Sequence, residues 1–119
     1  MTKTELKDRT KTFAHRCVKA ALSLGDSVLG RHIKGQLIRS STSVAANYRA
    51  ACLAHSKSSF ASKLSIVIEE ADESSFWLEF TVEENLFRKK LIINLMKEAG
   101  ELTSIFVSSR KTVQKINNQ

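Results

Sequence analysis

The sequence predicts an all-α protein folded as an antiparallel, up-down-up-down four-helix bundle. Three observations carry that prediction. The 119 residues include no proline and only four glycines, too little turn chemistry for a sandwich or barrel of many short strands. Apolar residues recur at threes, fours and sevens along four long stretches, which is the spacing of one helix face. Apolar residues make up 42% and charged residues 26%, a balance that folds around a core instead of staying disordered. A single domain over 1–119 is expected, with helices at about 3–24, 31–55, 57–81 and 84–116.

In the first helix, Leu6, Phe13, Cys17, Ala20 and Leu24 share a face. Thr2 followed by Glu5 fits a capping box. Gly25 fits a stop, and Gly25 to Gly30 reads as a loop. In the second helix, Ile33, Leu37, Val44, Tyr48 and Cys52 share a face. The run Ser40-Ser41-Thr42-Ser43 is poor in helix propensity, but the apolar phase is the same on both sides of it, so the helix is read through. In the third, Phe60, Leu64, Val67, Ala71, Leu78 and Val82 align, with Ser56 or Ser58 as the cap. In the fourth, Leu91, Leu95, Ala99, Leu102, Phe106, Val113 and Ile116 align, and Thr81 with Glu84 fits its capping box. Helices of this length joined by short loops fold back antiparallel to bury their stripes.

The formal net charge is +7, unevenly placed. Residues 1–57 carry +8, residues 58–84 carry −6, and residues 85–119 carry +5. A basic excess favours an anionic partner such as nucleic acid or a membrane surface. No uncharged apolar run reaches the roughly 18 residues of a membrane span, and the N-terminus lacks the apolar stretch of a secretory signal. Cys17 and Cys52 form no CxxC pair. A cytoplasmic protein with reduced thiols and no membrane contact is expected.

Two helices carry more than one face suited to burial. Between residues 35 and 56 only Arg39 and Arg49 are formally charged. Behind the core stripe of the second helix stand Gly35, Thr42, Ala46 and Ala50, where a water-facing helix would show Lys and Glu. Behind that of the third stand Ile66, Glu70, Glu73, Trp77 and Phe80, an apolar strip flanked by carboxylates. Self-association would bury both, with Arg39 and Arg49 meeting carboxylates among Glu69, Glu70, Glu73 and Glu79. The alternative is a wide core with Arg–Glu pairs inside one protomer.

Signals for chemistry are few. No HExxH, ExxH or Cys/His zinc spacing occurs around His15, His32 and His55, so no metal is expected. The carboxylates Glu69, Glu70, Asp72 and Glu73 lack the Glu-x-x-His partners of a di-iron bundle. No GxSxG, SxxK or phosphate-binding glycine loop is present. The expectation is a non-enzymatic protein without a cofactor. Basic positions are more suggestive. Lys90, Lys97, Lys111 and Lys115 fall on an outward stripe of the fourth helix with Ser104 and Ser108 between them, and Lys7 and Lys11 lie outside the core face of the first. Such lysines neutralise phosphates without reading base sequence. A protein-interaction adaptor, with charge serving solubility, is the other reading.

The run Gln36-Leu37-Ile38-Arg39-Ser40-Ser41-Thr42-Ser43-Val44-Ala45-Ala46-Asn47-Tyr48-Arg49-Ala50-Ala51 resembles a bacterial family, the four-helix-bundle proteins encoded by intervening sequences in 23S ribosomal RNA genes. The likeness continues through Ser56 to Phe60, Lys63-Leu64, Glu69 to Glu73 and Trp77-Leu78-Glu79, and covers about residues 5–115. It implies a homopentameric ring. The family is also similar to the accessory variability proteins of diversity-generating retroelements, basic pentamers that bind a reverse transcriptase and RNA. RNA and a reverse transcriptase are therefore implied partners. Arg39, Asn47, Arg49, Glu70 and Glu73 match polar signature positions and are read as structural or interface residues. Ala50-Ala51 stands where relatives often carry Glu-Ala.

Overall fold

The computed structural model describes residues 1–117. Four helices follow one another: α1 (Lys3–Leu22), α2 (Val28–Ala51), α3 (Lys57–Glu83) and α4 (Lys89–Asn117). Each packs on its sequence neighbours, and α1 also meets α4, which closes an antiparallel bundle of about 51 × 21 × 21 Å. The side chain of Ile116, placed on the core stripe by spacing, lies outside the described residues.

Helix starts follow local chemistry. Thr2 accepts the Glu5 amide at 3.1 Å, Ser27 the Gly30 amide at 2.9 Å, and Ser56 the Ser59 amide at 3.0 Å. Each hydroxyl satisfies an amide that the first turn leaves without a carbonyl. Ser27 thus starts α2 at Val28, inside the segment expected to be loop. A Cβ on Gly30 would come within 2.5 Å of the Gly25 carbonyl oxygen, so the chain can turn that tightly only with glycine there. The α2 helix ends at Ala51, four residues earlier than its apolar phase suggested.

The expected capping box at Thr81 and Glu84 is overturned. Thr81 is buried inside α3, and its hydroxyl donates to the Trp77 carbonyl at 2.7 Å. The segment is the end of α3, not the start of α4. Asn85 takes a left-handed φ of 59°. Its amide donates to the Val82 carbonyl at 3.0 Å, and that of Leu86 to the Thr81 carbonyl at 2.9 Å. This double closure is a Schellman stop, in which asparagine takes the place more often held by glycine. The α4 helix then begins at Lys89.

The core joins Phe13 and Cys17 of α1, Leu37, Val44 and Tyr48 of α2, Leu64, Val67 and Leu78 of α3, and Leu95, Leu102 and Phe106 of α4. The Tyr48 and Phe106 rings stack tilted at 5.2 Å between centroids. On α4 the spacing is off by one at its start: Leu91 is 66% exposed and Ile92 takes the core position. The serine run of α2 is helical because its small side chains let α2 and α3 approach closely. Ser40 and Ser74 are fully buried, and the Ser74 hydroxyl donates to Ser40 Oγ at 2.9 Å across the seam, while Ser41, also buried, lies against Cys17 of α1.

Candidate functional site

The outward surfaces carry opposite charge, and each follows from helix phase. On α3, the core positions Leu64, Val67, Ala71 and Leu78 leave Ile66, Glu69, Asp72, Phe76, Glu79 and Glu83 pointing away from the bundle. Ile66 is 39% exposed and Phe76 49%. No Lys or Arg occurs from 64 to 87, so this stripe is apolar and anionic without relief. Phe76 and Trp77 are adjacent aromatics that spacing alone does not separate; the phase of the core residues places Phe76, not Trp77, opposite them.

The strip expected behind α3 divides. Ile66 faces outward. Glu70 and Glu73 turn toward α2, where Arg39 Nη1 lies 3.0 Å from Glu70 Oε2 and the other guanidinium nitrogen meets Glu73. Trp77 is half-buried, edge-on to His32 of α2 with 5.4 Å between ring centres, and Phe80 packs on Trp77 at 6.1 Å. The Trp77 indole N–H is buried and has no acceptor among the described residues. For Arg39 the arrangement is an ion pair within one protomer, the alternative reading of the sequence.

The back of α2 remains open. Gly35, Thr42, Ala46 and Arg49 are exposed and Ala50 is half-buried. A Cβ at Gly35 would meet no atom within 4 Å, so nothing inside the protomer requires glycine there. Beside this stripe runs a groove between α1 and α2 of about 750 Å³. Ala14, Val18, Ala45 and Ala46 form its floor, and Lys7, Lys11, His15 and Arg49 stand along it. Among the described residues Asp8 is the one carboxylate lining it.

The six lysines singled out by sequence are all exposed, on two faces. Lys7 and Lys11 line the α1–α2 groove. Lys90, Lys97, Lys111 and Lys115 run along α4, with exposed Ser104 and Ser108 between. None of the six takes part in the ion pairs formed among the described residues. The carboxylates of the α4 face are engaged. Arg9 of α1 reaches across to Glu98 at 2.7 Å from Nε and 2.6 Å from Nη2, and to Glu101 at 2.5 Å. This guanidinium holds Glu98 below the usual glutamate range and is itself raised, chiefly by its hydrogen bond to Glu98. Sequence spacing gave no sign of this clasp, since its members lie at opposite ends of the chain.

The run Ala46-Asn47-Tyr48-Arg49 turns two side chains to the groove, one into the core and one back onto its own helix. Ala46 floors the groove, and Arg49 lines it. Tyr48 enters the core, where burial pushes its phenol above the ordinary range. Asn47 donates to the Ser43 carbonyl at 2.9 Å and to Ser43 Oγ at 2.8 Å. Cys17 is sealed in the core, and burial pushes its thiol up to about 12, which suits packing and not nucleophilic attack. Cys52 is half-buried. Among the described residues no helix is long and apolar enough to cross a membrane.

Fold and surfaces together define a class: a small four-helix bundle with a basic α4, a basic α1–α2 groove and an acidic, apolar α3. The chain belongs to the 23S rRNA-intervening sequence protein family, which it matches over residues 2–108. It is also similar to a crystal structure from Bacteroides thetaiotaomicron VPI-5482, a protein of unknown function from the S23 ribosomal protein family. The two superpose with a TM-score of 0.83 at 29% identity, covering 93% of this chain and 99% of that one. No curated protein matches the chain in sequence.

Proposed function

We propose that this protein is a non-enzymatic, self-associating scaffold whose basic α4 face binds nucleic acid, RNA first among them. The observation that carries the reading is the segregation of charge. Lys90, Lys97, Lys111 and Lys115 form an exposed row, while Arg9 engages Glu98 and Glu101 beside them. Exposed ammonium groups along one helix face neutralise phosphates and displace their counterions, giving affinity without sequence preference. The family's ribosomal RNA context supports RNA as the anion. The resemblance to retroelement accessory proteins supports a homopentamer and a role beside a reverse transcriptase. A cytoplasmic location fits such a partner.

Gel-shift titration with an arbitrary RNA at several salt concentrations tests the proposal. Replacing the four α4 lysines by Gln is expected to weaken binding and to flatten the log–log salt slope by up to about four, near one per lysine. Binding and slope that match the unsubstituted protein would place the contact elsewhere. The second reading, a protein-interaction adaptor without a nucleic-acid role, is favoured by the apolar-acidic α3 stripe. Absence of any shift at low salt selects it.

A further inference from the structure

We infer that the α1–α2 groove of one protomer receives the outward stripe of α3 from the next copy of the chain, and that Lys7, Lys11 and Arg49 act there as partners for carboxylates. The inference rests on the self-association proposed above and names its two surfaces.

Charge complementarity is the first argument. The stripe carries Glu69, Asp72, Glu79 and Glu83 with no cation among them. The groove carries Lys7, Lys11 and Arg49 against Asp8. Apolar complementarity is the second. Ile66 and Phe76 project from the stripe, and a floor of alanines and one valine lets another helix come close while excluding water. Phosphate backbone would gain nothing from that floor, so an apolar-acidic helix suits the groove better than RNA does. Length is the third. From Thr4 to Val18 the groove runs roughly 21 Å, and from Ile66 to Glu83 the stripe runs roughly 26 Å at about 1.5 Å per helical residue, so the stripe is long enough to fill the groove.

The two surfaces cannot meet within one protomer. The groove belongs to α1 and α2, whereas α3 packs on α2 and α4 and turns this stripe outward. Different patches meeting head to tail generate a ring when the rotation closes. The open space around Gly35 and the exposed Thr42 extend the uncrowded surface along α2.

Charge-swapped chains test the pairing, with mass read by light scattering and helicity by circular dichroism. The groove set is Lys7→Glu, Lys11→Glu and Arg49→Glu. The stripe set is Glu69→Lys, Asp72→Lys and Glu79→Lys. All six positions are exposed. Each set alone is expected to reduce the mass to that of one 13.3 kDa chain with helicity intact, and the two sets combined in one chain to restore the original mass. Phe76→Ser and Ala46→Trp, which disturb the same contact without altering charge, are expected to dissociate it as well. Two outcomes overturn the inference: either set leaving the mass unchanged, whatever its effect on RNA binding, or dissociation that the combined chain does not reverse. An unsubstituted protein that is itself a single chain overturns the underlying self-association instead.

Discussion

Arg9 is the residue that fastens the least extensive seam of the bundle, between α1 and α4. Its guanidinium grips Glu98 with two nitrogens and reaches Glu101 with one of them. Bidentate pairing fixes orientation as well as charge. Glu98 is well covered, but Glu101 is 66% exposed, so the second contact is screened and adds little. Glu98→Gln is expected to lower unfolding free energy by roughly 1–2 kcal/mol at pH 7. The pH dependence follows from the lowered pKa of Glu98. A carboxyl with a depressed folded pKa contributes fully above its unfolded value, about 4.3, and loses the contribution as pH falls through the folded value. Urea titrations should therefore show the variant's deficit at pH 7 and a narrower one below pH ~4. A deficit independent of pH would mean that shape, not charge, holds the seam.

At the scale of elements, Gly30 of α2 and Gly100 of α4 make opposite predictions. Gly30 sits against the Gly25 carbonyl, and a methyl there forces backbone apart. Gly30→Ala is expected to cost about 1–3 kcal/mol. Gly100 stands in α4 with open space around its Cβ position, so Gly100→Ala should gain about 0.5–1 kcal/mol of helix propensity. Thermal melts of the two variants check both signs. These elements also show what the sequence made legible. Core phase and the N-caps at Thr2 and Ser56 were readable, because capping and burial act through residues three or four apart, whereas the Ser27 cap fell in a segment read as loop. The α3 stop was not readable either. Thr-x-x-Glu is the pattern of a helix start, and the same threonine inside a helix simply bonds back to a carbonyl one turn earlier; only the left-handed Asn85 separates the two cases. Leu91-Ile92-Ile93 offers three adjacent apolar residues, so spacing alone could not choose Ile92 for the core.

At the scale of the whole molecule, one bundle leaves the α3 stripe and the α1–α2 groove uncovered. The sequence located the alternation of basic, acidic and basic segments, since charge is additive along a chain. It assigned Glu70, Glu73 and Trp77 to an outer strip, although they flank the core and turn toward α2. The true outward stripe, with Phe76 at its middle, lies about one residue away in phase, a shift too small for sequence alone to resolve where both phases are apolar and acidic. Which lysines line the α1–α2 groove and which stand along α4 depends on how the helices are placed around the bundle, and no local spacing records that.

The measurement that bears most directly on this account is the mass of the unsubstituted protein in solution, by light scattering from dilute to concentrated samples beside its helicity. A helical species whose mass is a fixed multiple of 13.3 kDa, five being the number the resemblance supports, is the predicted result. A fully helical single chain persisting at the highest concentration would contradict it, since Phe76 and the acidic stripe would then need no partner.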